Sequence, residues 1–433
     1  MSRDSLCIRD VLIVPGGVGA PLPYYGWVEV RDGKFADMGQ GSPKREFSGA
    51  VIEGNGDVLL PGLMNLHAHS HSSLTRGSAE GASLEDWLTM VEREQQILTE
   101  EDAYTGALAT YAEAVLSGTT TILDMCLKPR AAIAAARDIG IRAIIAPYAA
   151  DTKPFSPPLE LTEELLQATS NQTDPVQVWV GLHDLESCSD GQIQVAAALA
   201  KKYGTGLHMH CSESRFSVEA TRGRTGRTPI QQLGELCALT DRTLLAHCVW
   251  ADEADQRLLR ENGTHVTHCP HANLKLGSGF APVPAMLEQG INVCLGTDGA
   301  KANNRLDMFD VMKFASLLHK GIKQDPRVLP ANVVLDMATH GAAKAIHNPF
   351  LGRIAPGMTA DFITIRTDDY HILPMVPDTV VTNLVHAVRG SDASLVFVNG
   401  RMIARDGELV SKQGGGLLGR YRQTGLDLLD RTA

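Results

Sequence analysis

The chain has 433 residues, 44% of them hydrophobic, and sets 39 Lys and Arg against 50 Asp and Glu for a formal net charge of -11. That length exceeds one compact core of ordinary size and points to one large domain with a smaller companion. The negative balance argues against nucleic acid or an anionic membrane as partner, since either wants clustered lysine and arginine.

The opening segment, MSRDSLCIRDVLIVPGG, carries Arg3, Asp4, Arg9 and Asp10 where a secretory signal needs an apolar run. No later stretch is apolar for long enough to suggest a membrane span. Eight cysteines are scattered without CxxC pairs, several inside apolar runs, as befits buried thiols in a reducing cytoplasm.

In chain order, the residues before about 58 (VLIVPGG, WVEVRDGKFADMG) alternate as strands with a DG turn signal. From about residue 59, short apolar or β-branched runs alternate with longer helical patterns, the signature of a parallel α/β architecture. Eight strand candidates follow: LLPGLMNLHAH, TTTILDM, IRAIIAPYA, VQVWVGLH, GLHMHCSE, TLLAHCV, HVTHCP and NVCLGTD. Between them lie helical patterns such as EEDAYTGALATYAEAVLSG, with Gly118 placed as a C-cap. After about residue 356, ADFITIRT and LVFVNGRMIARDGELV return to strand alternation with an NG turn. The expectation is α/β: a (β/α)8 TIM-type barrel over 59–356, and a small β-sandwich domain built from both termini, 1–58 plus 357–433.

Barrels of this type carry their reactive groups where the C-terminal strand ends converge on one rim. Here the first strand candidate ends in His67 and His69, with His71 two residues further in NLHAHSHSS. The second passes Asp124, the fourth ends in His183, and the fifth ends in His210 with Glu213 just beyond. The sixth carries His247, the seventh His268, and the eighth closes on Asp298 in GTDG. Histidine and carboxylate thus recur at one end only. One buried histidine needs no ligand, but a ring of them is costly unless paired or coordinated, which favours a metal. Imidazole nitrogen with carboxylate oxygen suits one divalent ion, zinc or iron, and an open position makes such a site catalytic by bringing the pKa of bound water towards ~7. No lysine ends the fourth strand candidate, so the bridge of a two-metal centre is missing.

Taken together, PGLMNLHAH, the HCSE after LHM, LLAHCVW, HCPHANLKLGSGFAPV and LGTDGAKANNRLDMF resemble the amidohydrolase superfamily, in its cytosine-deaminase-like, S-adenosylhomocysteine deaminase and triazine hydrolase branch. The resemblance implies that His67, His69, His210 and Asp298 hold the metal. It places Glu213 at an acid position, His247 beside the attacking water, and His183 and Trp87 against the substrate. Asp298 then takes a proton from the water while Glu213 delivers one to a ring nitrogen, His247 stabilises developing charge, and a flat ring rests on Trp87. His71, past the strand end, is a candidate for lining the pocket together with Glu213 and Asp298. His208 has a packed or supporting role, while Asp124, His268 and His271 stay open between pocket and scaffold.

Two departures bear on the substrate. S-adenosylhomocysteine deaminases carry an arginine shortly after the third strand, whereas IIAPYAADTKPFSPP has none, and Glu94 lies near but not at their ribose-binding glutamate. The expected reaction is hydrolytic deamination of an amino-substituted heterocycle (purine, pterin, pyrimidine or triazine), with the free heterocycle favoured over a nucleoside. Dechlorination, dealkylation or amide opening is the alternative, and a dimer or higher homo-oligomer is the expected assembly.

Overall fold

A computed structural model describes residues 5–82, 84–169 and 174–432. It divides into two compact units, Met1–Met64 with Ala112–Thr121 and Asp307–Gly414, and Asn65–Tyr111 with Ile122–Leu306 and Gly415–Ala433.

The first unit is built on one mixed sheet of nine strands. Its hydrogen-bonded order runs Glu408–Leu409, Arg401–Arg405, Ala393–Val398, Phe362–Ile365, Val58–Pro61, Ser5–Ile13, Tyr24–Arg31 and Lys34–Gln40, with Ala50–Glu53 paired to Ser5–Ile13. The strands of Phe35 and Phe362 are four steps apart in that order, about 19 Å if the sheet were flat at ~4.8 Å per strand. Their rings nevertheless lie 5.5 Å apart, and Phe362 stacks on Phe397 at 4.4 Å. The sheet therefore folds over on itself: it packs as the expected sandwich, yet its hydrogen bonds form a single sheet. Burial of Ile8, Val11, Val28, Phe35 and Phe397 between its halves supplies the core.

The helices Met308–Lys323, Ala331–Met337 and His340–Ala345 group with this sheet, so the boundary expected at residue 356 lies downstream of the observed division. Hydrogen bonds hold them there, from Met64 N to the Ala338 carbonyl at 2.9 Å and from Gly390 N to the Asp307 side-chain Oδ2 at 3.0 Å.

The second unit carries the parallel strands. The stretch LLPGLMNLHAH proves to be two strands, Val58–Pro61 and Leu63–Ala68, parted at Gly62, and only the latter joins the parallel set. One ladder orders Leu63–Ala68, Thr119–Cys126, Arg142–Pro147 and Val176–Val178; the other orders Val180–Gly181, Leu207–Cys211, Thr243–His247, His265–His268 and Val293–Leu295. The fourth expected strand is broken at Trp179. There the chain is carried across by bonds from Trp179 N to the Ile145 carbonyl and from Val180 N to the Gly206 carbonyl, each 2.9 Å. At the opposite seam Asp298 N donates to the His67 carbonyl at 2.9 Å. The eight expected strands thus follow one another around a TIM-type arrangement, and their near-continuous burial is what parallel strands covered by helices require.

The last helix, Leu417–Thr432, left no signal in the strand-dominated reading of the C-terminal flank. It groups with the second unit because Leu428 is buried against Leu74, Leu98, Met125 and Tyr148, while the Tyr421 hydroxyl donates to the Ser73 carbonyl and Arg431 pairs with Asp102 at 2.7 Å. Among the described residues no helix is long and apolar enough to cross a membrane. All eight cysteines are free, and only Cys237 is exposed.

Candidate active site

The two catalytic-looking turns begin with close packing. A side chain at Gly296 would put its Cβ 2.9 Å from the His67 Cβ, and one at Gly299 would meet Ser72 Oγ at 2.3 Å. The glycines of LGTDG are what allow the strand bearing Asp298 to lie against the strand bearing His67 and His69. Asp298 and His247 adopt left-handed backbone, with φ of 63° and 71°. Such conformations cost ~1–3 kcal/mol each and persist where surrounding structure holds a side chain on target.

The imidazoles converge through their Nε2 atoms because every Nδ1 is engaged behind. His69 Nδ1 donates to the Met125 carbonyl and His210 Nδ1 to the His183 carbonyl, each at 2.8 Å. A carbonyl oxygen only accepts, so each ring in its neutral form carries its proton on Nδ1 and presents a bare Nε2. His69 Nε2 and His210 Nε2 lie 3.1 Å apart. Asp298 Oδ1 stands 3.4 Å from His69 Nε2 and 3.8 Å from His67 Nε2. His67 Nε2 is buried and, among the described residues, has no hydrogen-bond partner. Burial, reinforced by His69 and His210, holds the His67 imidazolium well below the usual histidine range, so the ring is a neutral donor. Burial does the same for His210, with His183 and His69 adding to it.

Facing lone pairs at this separation repel unless a cation shares them. Two groups, His67 with His69 and Asp298, and His67 with His210 and His247, bring one ligand atom per residue within 4.8 Å of one another. Three imidazole nitrogens and a carboxylate fit a borderline divalent ion.

On the far side of Asp298, its Oδ2 lies 4.0 Å from His247 Nε2, which in turn lies 3.8 Å from Glu213 Oε2. Asn273 Oδ1 accepts from His247 Nδ1 at 2.8 Å and orients that ring. Burial raises the Glu213 carboxyl against the opposing pull of His247, with Asp298 and Asp184 raising it further. Glu213 therefore keeps its proton above the normal carboxylate range.

These groups open into a cavity of about 270 Å3. His183, Trp87 and His71 line it, as does Glu213. His183 Nδ1 is engaged by Ser187 Oγ at 2.7 Å and Asp184 Oδ2 at 3.0 Å, leaving Nε2 as the atom without a fixed partner behind it. Trp87 also packs on Cys269, Ala272, Leu276 and Ala302, so it anchors its helix and lines the cavity at once.

The open assignments resolve as follows. His208 stands behind His67. Asp124 is buried, accepting from Ser70 N at 2.9 Å and from the Tyr111 hydroxyl at 2.6 Å, which braces the turn after His69. His268 and His271 are not among the cavity residues, and Glu94 pairs with Lys301 at 2.5 Å instead of reaching it.

Sequence reasoning passed over Tyr148, whose ring centre is 4.3 Å from that of His183, and Lys153, a cavity residue paired with Glu92 at 2.5 Å. Both sit in the loop after the third strand, where only an arginine had been sought.

Residues 58–403 match the amidohydrolase family. The chain belongs to the amidohydrolase family. This amidohydrolase is 34% identical over 94% of its length to the 5-methylthioadenosine/S-adenosylhomocysteine deaminase of Acetivibrio thermocellus, covering 95% of that protein. It is 36% identical over 94% of its length to the 5'-deoxyadenosine deaminase of Methanothermobacter thermautotrophicus, again covering 95%. Its fold superposes on a zinc-bound adenosine deaminase of Xanthomonas campestris with a TM-score of 0.91, at 24% identity and over 98% of both chains.

Proposed function

We propose that this amidohydrolase removes the amino group of an adenine-type ring as ammonia by adding water at an sp2 ring carbon. The observation that carries the reading is the placement of Asp298, His247 and Glu213 in succession beside the point where Nε2 of His67, His69 and His210 converge. When bound by His67, His69, His210 and Asp298, a single divalent ion, with zinc favoured by the donor set and iron the other candidate, supplies a water whose pKa falls towards ~7.

The chain's own residues do the rest. Asp298 accepts the proton released as water adds to the ring carbon, and Glu213 gives its proton to the neighbouring ring nitrogen. His247 stabilises the charge that develops at the attacked centre. The proton gathered by Asp298 then goes to the amino group, which departs as ammonia, while the new hydroxyl returns its proton to Glu213 as the ring carbonyl forms, so that water enters, ammonia leaves and both carboxyls are restored. His183 offers Nε2 to a donor on the substrate, Trp87 offers its face to the ring, and His71 completes the wall.

Relatives named for adenosine-type substrates favour a purine nucleoside over the free heterocycle expected from the missing arginine. One observation favours the smaller substrate: Lys301 already occupies Glu94. The same reading makes the protein a cytoplasmic homo-oligomer, a dimer or higher, acting on free small molecules.

Ammonia release from zinc-loaded protein, measured with adenine, adenosine, 5'-deoxyadenosine, methylthioadenosine, guanine, a pterin and an aminotriazine, tests the proposal. Turnover of a purine nucleoside is expected. Silence across the panel, with hydrolysis of a chlorinated or N-alkylated ring or an amide, would replace deamination by another leaving group.

A further inference from the structure

Lys301 is an unusual residue to find where it is. Its side chain is fully buried, three positions after Asp298, and its Nζ lies 2.5 Å from Glu94 Oε1. The other oxygen of Glu94 accepts from Thr75 Oγ1 at 2.8 Å. Glu94 belongs to the helix Leu84–Ile97, which also carries Trp87, Val91, Glu92 and Gln95 into the cavity wall. Thr75 ends the turn Ser70–Thr75 that follows His69.

The turn bearing Lys301 is itself held. Arg76 donates to the Asn304 carbonyl at 2.8 Å, and Lys275 Nζ donates to the Lys301 carbonyl at 3.2 Å. One carboxylate thus ties the cavity helix to the chain after both the first and the last strand, the two strands that supply His67, His69 and Asp298.

We propose that Lys301 and Glu94 form a positioning pair that sets the substrate-facing helix Leu84–Ile97 in register with the metal-binding turns. A buried ion pair is a poor source of net stability against apolar replacements, and its best-attested use is to select one arrangement among several. Helix Leu84–Ile97 is amphipathic and exposes Met90 and Ile97, so apolar packing alone leaves its rotation and shift along the rim loosely specified. The charge pair removes that freedom. It also commits Glu94 to the scaffold, so hydroxyl groups of a substrate must be met by other cavity residues such as Gln95.

The inference rests on the deaminase reading only for its kinetic arm. In that arm, Lys301→Met in zinc-loaded full-length protein is expected to raise KM about tenfold while kcat changes less than about threefold, because the wall shifts and the reacting groups do not. Bound metal is expected to stay at the wild-type level. The second arm is independent of any substrate: amide hydrogen exchange in residues 84–97 is expected to speed up about tenfold relative to residues 243–247. The double variant Lys301→Met with Glu94→Met is expected to regain thermal stability but keep the raised KM and the fast exchange. Should Lys301→Met fail to fold, Glu94→Gln reads the same quantities. Unchanged exchange in residues 84–97 overturns the proposal, as does a loss carried by kcat and metal content with KM untouched. Altered exchange in a protein that deaminates nothing would leave the pair intact and remove only the assigned reaction.

Discussion

His208 Nε2 lies 2.8 Å from His67 Nδ1, and His208 Nδ1 lies 2.8 Å from the Leu244 carbonyl oxygen. The carbonyl only accepts, so it puts the His208 proton on Nδ1. His208 Nε2 must then accept from His67 Nδ1, which leaves His67 Nε2 bare at the site. Burial holds His208 at about 3, so the relay does not charge near neutral pH. A histidine outside the cavity lining thereby selects the tautomer of His67, a proposed metal ligand. His208→Phe is expected to weaken zinc affinity by about 10–100-fold, the usual cost of losing such support. Competition titration against a chromogenic chelator measures it; unchanged affinity would show that His67 keeps its tautomer unaided.

In the proposed reaction Glu213 delivers a proton and takes no part in holding the metal. Glu213→Gln keeps the shape and removes the proton, so turnover is expected to drop about 10²–10⁴-fold with metal content at the wild-type level. Steady-state ammonia release together with elemental analysis checks both halves. Normal turnover would remove Glu213 from the proton path.

Trp87 combines anchoring with lining. Trp87→Ala is expected to raise KM roughly five- to tenfold through loss of the aromatic face, with kcat nearly unchanged. A conservative Trp87→Phe variant should recover most of that affinity, whereas a purely structural tryptophan would leave KM unmoved in both variants once stability is matched.

Asp57 gives the folded state a pH signature outside the active site. Burial lifts its carboxyl from 3.8 to about 6, with the Ser394 hydroxyl at 3.2 Å opposing the rise. Between those values the folded chain binds a proton that the unfolded chain has released. The stabilisation is therefore complete at low pH and is lost as pH rises through about 6. Because Asp57 is partly solvated, the loss is expected to be about 1 kcal/mol. Asp57→Asn should flatten the fall in melting temperature between pH 4 and pH 7, which thermal melts at several pH values would show.

What the sequence alone determined were the groups that recur at strand ends. His67, His69, His210, Glu213, His247 and Asp298 were legible because parallel strands in a barrel all point one way, so a residue's place at the end of an apolar run already assigns it to the rim. The eight-strand alternation and the pairing of the two termini were legible for the same local reason, since period and turn chemistry are written in neighbouring residues. Only the tertiary structure decided matters that depend on what lies opposite. The folding of a nine-stranded sheet onto itself, the docking of Leu417–Thr432 beneath Leu74, the relay from Leu244 through His208 to His67, and the capture of Glu94 by Lys301 all join residues far apart in the chain. Their distances are set by packing, and no periodicity records them. The third histidine of NLHAHSHSS shows where the two regimes meet: the strand places His67 and the extended residue just past its end is His69, and the turn that begins at Ser70 carries His71 into the cavity wall instead.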